Sequence, residues 1–257
     1  MWPTAAERVP EARAALSATL DGAALPASAR FGAAVGVLAH GFALIDATAP
    51  ACVAAKPQLA FFEQLGFPGW LALEHLCAYA SAAGLLVLTD AKRGDVPSTA
   101  AAYSRALTGA TETPFGTVAG LGADAITANP LMGRDALEPL VTGARAHGGG
   151  VFVLVRTSNP GAADVLDLPL ATGEPLWERL AAMVAELGEG DPGGLTDVGA
   201  VTGATVPEHL ARMRELMPAT PFLLPGIGAQ GGDVSALAPA FAPGRAAGLV
   251  TASQKRS

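Results

Sequence analysis

The chain has 257 residues, a length that suits one large α/β domain or two small ones. Of these, 51 % are hydrophobic and only 5 % aromatic, so the core must be built from Ala, Val and Leu. Sixteen Lys and Arg against 23 Asp and Glu give a net charge of −7 with no basic block, which argues against a nucleic-acid partner.

No apolar run approaches the ~20 residues of a membrane span, so no membrane partner is expected. Residues 1–10 lack the basic-then-apolar form of a signal peptide. Cys52 and Cys77 form no C-x-x-C and read as buried, reduced thiols of a cytoplasmic protein. His40, His75, His147 and His209 are scattered, so no metal site is expected. Neither a G-x-G-x-x-G after a strand nor a G-x-x-x-x-G-K-[ST] occurs, so no nucleotide cofactor is indicated.

In chain order, residues 11–20 read as a helix, 21–26 as a turn and 31–49 as a helix closed by Pro50. Residues 52–55 form a short buried strand ending in Lys56-Pro57-Gln58. Helices follow over 59–65 and 70–83. Leu85 to Leu88 is a strand buried on both faces, and it runs into Thr89-Asp90-Ala91-Lys92-Arg93-Gly94-Asp95. A helix over 98–108 precedes a strand over 123–128, closed by Asn129-Pro130. Residues 136–147 are helical, stopped by Gly148-Gly149-Gly150. A strand over 151–155 ends in Arg156-Thr157-Ser158-Asn159-Pro160, and 161–173 read as loop. Helices over 175–187 and 207–217 flank a weak strand at 198–201. Phe222-Leu223-Leu224 leads to Pro225-Gly226-Ile227-Gly228-Ala229-Gln230-Gly231-Gly232. A short helix over 234–241 and a strand over 248–251 complete the chain.

Seven strand–helix alternations without a compositional break favour one (β/α)8 TIM barrel domain over residues 1–257, rather than a doubly wound sheet. The polar and Gly-rich residues all follow strands, where a barrel carries its active face. In a strand, alternate side chains share a face, so Asp90 and Lys92 are expected to point the same way. Gly94 lets the chain turn and bring Asp95 back. With Lys56 on the neighbouring strand tip, the charges can alternate Lys-Asp-Lys-Asp. Set against a substrate carboxylate, such a row opposes the ground state more than a carbanion-like transition state, a route to decarboxylation without a cofactor. The bland alternative for each part is a solvated ion pair, a snorkelling Lys56 or a structural Gly turn. The Gly226–Gly232 stretch can offer N–H groups to a phosphate. Thr157-Ser158-Asn159-Pro160 can read a polar ring edge, or serve as a helix cap or an Asx turn.

These stretches together, from Lys56-Pro57-Gln58 through Asp90-Ala91-Lys92-Arg93-Gly94-Asp95 and Thr157-Ser158-Asn159-Pro160 to Pro225-Gly226-Ile227-Gly228-Ala229-Gln230-Gly231, resemble orotidine 5'-phosphate decarboxylase of the bacterial type 2 subfamily. The resemblance covers roughly residues 40–253 and implies conversion of orotidine 5'-phosphate to uridine 5'-phosphate in pyrimidine synthesis. It implies that Lys92 protonates C6, that Asp90 lies by the departing carboxylate, and that Lys56 contacts the ribose and Asp90. Asp95 and Thr99 would reach the partner's site in a homodimer. Ser158 would bind the pyrimidine, and Gln230 with the backbone at Gly226 and Gly228 the phosphate. Two departures stand out. The family's first strand, ending in G-[IL]-D-P, has no counterpart, so a barrel lacking its first strand and last helix is expected, with an open or improvised closure there. Gln254 stands where the family has a phosphate-gripping Arg, leaving Arg256 or Lys255 as substitutes. Alternatives are a decayed nucleotide-phosphate-binding paralogue and a sugar-phosphate lyase of the same superfamily.

Overall fold

The computed structural model describes residues 4–203, 207–225 and 234–252. A 3-10 turn (Ala5–Arg8) opens the described chain. It is followed by α1 (Val9–Ala18), α2 (Ala29–Thr48), β1 (Ala54–Ala55), α3 (Ala60–Glu63), α4 (Phe67–Ala82), β2 (Leu86–Arg93) and α5 (Pro97–Leu107). Then come β3 (Ala110–Thr113), β4 (Gly116–Ala119), β5 (Ala125–Ala128), α6 (Arg134–Ala146), β6 (Gly150–Arg156), α7 (Ala163–Leu166) and α8 (Leu176–Leu187). The series closes with β7 (Val198–Thr202), α9 (Pro207–Leu216), β8 (Phe222–Leu224), a 3-10 stretch (Val234–Phe241) and β9 (Gly248–Val250). Among the described residues seven strands form one sheet in the order β1-β2-β5-β6-β7-β8-β9, and β3 and β4 form a separate two-stranded sheet. The pairings β1–β2, β6–β7, β7–β8 and β8–β9 are parallel. Strands separated by helices and paired in parallel give the (β/α) barrel class expected, here with seven strands. The chain clusters into two compact units, residues 1–91 with 105–126, and residues 92–104 with 127–257.

In the first unit, Ser28 starts α2 by accepting the Phe31 N–H at its hydroxyl oxygen, 3.4 Å away. Phe31, Ala34, Val35, Leu38, Phe42 and Ile45 then recur three or four residues apart and are buried. Helices α1 and α4 pack against this face. At its end, Asp46 takes a hydrogen bond from Tyr79 Oη at 2.7 Å and an ion pair from Arg8. By length and composition α2 is apolar enough to cross a membrane, with mean hydropathy 1.5, which corrects the expectation that no run approaches that length. Arg30, His40 and Asp46 interrupt the letters, but the helix between them is long enough. Half of the stretch is buried inside the protein, as a core helix would be. Residues 33–38, an apolar stretch, lie within this helix.

Two further departures concern short elements. The hairpin β3–β4 was not legible as strands: its residues are half-exposed or exposed, with no inward face to create an alternating pattern. Residues 161–173, read as loop, include the one-turn helix α7.

The second unit is a ladder of buried parallel strands. Val151 pairs with Val198, Ala200 with Phe222 and Phe222 with Gly248. Such strands are covered on both faces, which is why β7 reads as an unbroken run of small apolar residues. Helix α6 buries Ala136, Leu137, Leu140, Val141 and Ala144 at helical spacing, and Gly148 with φ +73° carries the chain out of it.

Candidate active site

Strand β2 carries the charged motif, and each half of the motif is built by a different unit. In the first unit, Lys56 and Gln58 converge on Asp90. Lys56 Nζ donates to Asp90 Oδ2 at 2.9 Å and Gln58 Nε2 to the same oxygen at 2.8 Å. The side chain of Asp90 is only 11 % exposed and that of Lys56 27 %, so the pair is partly withdrawn from water. The backbone dictates this meeting. Ala54 and Ala55 pair with Leu86 and Val87, and continuing the register sets Gln58 beside Asp90. Asp90 N–H donates to Pro57 O at 2.9 Å, and Leu59 N–H donates to Asp90 O. Pro57 offers only its carbonyl here, so its missing N–H removes nothing from the ladder.

Gln58 is the side chain in contact with Asp90 that residue-by-residue reading missed. It entered only as part of a recognisable triplet. The available signal was its register: the residue three beyond the β1 tip lies beside the residue three beyond Val87.

In the second unit lie Lys92, Asp95, Thr99 and Ser158. Lys92 is exposed and Asp95 and Thr99 half-buried. Asp95 Oδ1 accepts the Val96 N–H at 2.7 Å, just ahead of α5, which carries Thr99. Lys92 has φ +49°, so the pleat does not continue through it, and the expectation that Asp90 and Lys92 share a face by simple alternation is corrected. The Arg93 guanidinium lies over the Tyr103 ring, 5.4 Å from its centroid.

Ser158 is half-buried in the loop after β6. Arg156 anchors that loop: its Nε and Nη2 donate to the two carboxylate oxygens of Asp167 at 2.8 and 2.9 Å, and its Nη1 donates to Thr157 O at 2.7 Å. The hydrogen bonds from Arg156 hold the Asp167 carboxyl below its ordinary range. Thr157 Oγ1 donates to Asn159 Oδ1 at 2.7 Å, and Asn159 stands at the N-cap of the 3-10 turn Pro160–Ala162 without a side-chain cap hydrogen bond. A Cβ on Gly203, after β7, would stand 2.8 Å from Ser158 Cα, so only glycine allows the two loops to abut. Gly226, Gly228, Gln230 and Arg256 lie outside the described residues. Among the described residues, no group of three or more His, Cys, Asp or Glu is arranged to hold a metal ion.

Residues 39–249 match the model of the "Orotidine 5'-phosphate decarboxylase / HUMPS family". An orotidine 5'-phosphate decarboxylase of Deinococcus radiodurans is 47 % identical over 215 residues, covering 82 % of this chain and 73 % of that protein. One from Halorubrum lacusprofundi is 47 % identical over 193 residues, covering 75 % of this chain. The chain spans 62 % of that second relative's length, less than two thirds. Among solved structures, the OMP decarboxylase of Leishmania donovani superposes with a TM-score of 0.68 at 31 % identity, covering 96 % of this chain and 88 % of that one. Matched through most of its length by the family model and by relatives of this identity, the chain belongs to the orotidine 5'-phosphate decarboxylase / HUMPS family.

Proposed function

We propose that the chain decarboxylates orotidine 5'-phosphate to uridine 5'-phosphate without a cofactor, as a type 2 member of its family. The observation that carries this reading is the partly buried Asp90 carboxylate, held by Lys56 and Gln58 on the strand that also bears Lys92 and leads to Asp95. The bond from C6 to the carboxylate breaks, carbon dioxide leaves, and its electron pair stays on C6. The Lys92 ammonium gives its proton to C6 and recovers one from solvent. A carboxylate fixed by two donors cannot turn away from an incoming anion, so Asp90 disfavours the bound substrate's carboxylate and loses that opposition as the charge moves to C6.

In this reading Lys56 also contacts the ribose and Ser158 the pyrimidine. Gln230 and the backbone at Gly226 and Gly228 hold the phosphate, with Arg256 in place of the family's phosphate-gripping Arg. Asp95 and Thr99 serve the site of a second copy, which makes the enzyme a homodimer. The reading treats residues 1–257 as one barrel domain of a cytoplasmic protein and calls for no nucleic acid or membrane.

The test is loss of orotidine 5'-phosphate absorbance on adding the protein, with Lys92→Ala as control. Turnover that vanishes in Lys92→Ala supports the reading; a folded protein without turnover, or an active Lys92→Ala, refutes it.

A further inference from the structure

Two non-glycine residues have positive φ among the described residues, Asp21 and Lys92. Asp21 sits in the turn after α1, where a short polar side chain tolerates the left-handed region. Lys92 lies inside a strand, where backbone is ordinarily extended, and a long side chain at φ +49° is strained. Such a conformation persists only where its surroundings fix it.

Contacts that fix it come from the end of β5 and the residues just after it, within the same compact unit. Lys92 N–H donates to Thr127 Oγ1 at 2.9 Å. Asn129 N–H donates to Arg93 O at 2.8 Å. A Cβ on Gly94 would stand 2.5 Å from Asn129 O, so residue 94 must be glycine for the chain to pass. Thr127 is 1 % exposed. In an ordinary ladder a backbone carbonyl receives the strand N–H. Here a side-chain hydroxyl does, so the conformation of Lys92 depends on the identity of one residue rather than on the sheet alone.

We propose that Thr127 is a positioning residue: its hydroxyl oxygen holds the Lys92 amide and thereby the left-handed backbone that aims the Lys92 ammonium at the reacting carbon. The inference rests on Lys92 being the proton donor, as read above. Valine at 127 keeps the shape and the β-branch but gives the Lys92 N–H no acceptor, so the backbone relaxes towards the extended region and swings the amine.

The experiment compares kcat, KM and melting temperature of the full chain carrying Thr127→Val, Thr127→Ser, Thr127→Ala and Lys92→Ala. Thr127→Val is expected to lower kcat about tenfold or more with KM held within about threefold, since no substrate contact is touched. Thr127→Ser, which restores the acceptor, is expected to stay within about threefold of the parent in both. A Thr127→Val enzyme with kcat unchanged overturns the proposal, as does a Thr127→Ser enzyme no better than Thr127→Val. Should Thr127→Val fail to fold, Ser against Ala decides in the same way. An active Lys92→Ala refutes the proton-donor reading itself; an inactive Lys92→Ala beside an unimpaired Thr127→Val refutes only the role of Thr127.

Discussion

Replacing Arg214 by methionine should destabilise the protein by about 3 kcal/mol, although Arg214 has no role in the proposed chemistry. Arg214 is 8 % exposed. No ion pair to it is found among the described residues; it is satisfied by carbonyl oxygens instead. Nη1 donates to Met217 O and Thr220 O at 2.8 Å, and Nη2 donates to Ala240 O at 2.7 Å. Longer bonds reach Pro218, Pro239 and Ala247, and the charge stacks 3.8 Å above the Phe222 ring. One side chain thus ties α9, the base of β8 and the 3-10 stretch to the start of β9. Methionine keeps the length but strands three closely bonded carbonyls, at roughly 1–3 kcal/mol each when buried. Against that stands relief from burying a charge, the same burial that pushes the guanidinium down to about 10. The relief offsets part of the loss and leaves about 3 kcal/mol, or roughly 6–12 °C in Tm for a domain of this size. Thermal and urea denaturation followed by circular dichroism measure it. A variant melting within 2 °C of the parent (on the order of 0.5 kcal/mol) would refute the view that these carbonyls depend on Arg214.

Three further outcomes follow from the site and its supports. Asp167→Asn removes the carboxylate that orients Arg156 beneath the Ser158 loop, and should raise KM for orotidine 5'-phosphate several-fold (roughly 3–10) with a smaller change in kcat. Because the folded Asp167 pKa is depressed, the pair's contribution is fully present above the ordinary carboxylate value near 3.8. It is lost only as pH falls below that value, so a melting-temperature profile should show no step from Asp167 between neutral pH and about 5. Gly203→Ala places a methyl against Ser158 Cα and should also act on KM first; unchanged kinetics would mean that the two loops move apart freely. Burial and Glu74 push the Cys77 thiol up to about 12, whereas Cys52 is exposed, which corrects the expectation that both thiols are buried, so iodoacetamide near pH 8 should label Cys52 alone, as mass spectrometry of the folded protein would show.

Much of this architecture is legible because parallel strands leave a blunt signature. Residues 151–155 and 222–224 are apolar without alternation since both faces are covered, and the helices between them carry apolar residues at three- and four-residue spacing. The hairpin β3–β4 escaped because nothing covers it: Phe115 at its turn is 99 % exposed, and apolar letters there reflect no core. Strand β1 is shorter than residues 52–55 imply, since pairing rather than hydrophobicity sets its limits. In the site, the charged letters at 56, 90, 92 and 95 announced themselves by spacing. Gln58, Thr127 and Gly203 did not, because their parts depend on which backbone atom lies across from them, and a linear text does not show register. The kink at Lys92 was hidden for the same reason: no rule of propensity anticipates a lysine at positive φ.

Asp90 engages the segment from Lys56 to Leu59 through all of its polar groups at once, amide, carbonyl and carboxylate. The residue proposed as a reagent is thus also a rivet of the fold. Replacing it with asparagine to tune the chemistry would also loosen a strand whose ladder is only two residues long, and neither defect could be repaired without the other.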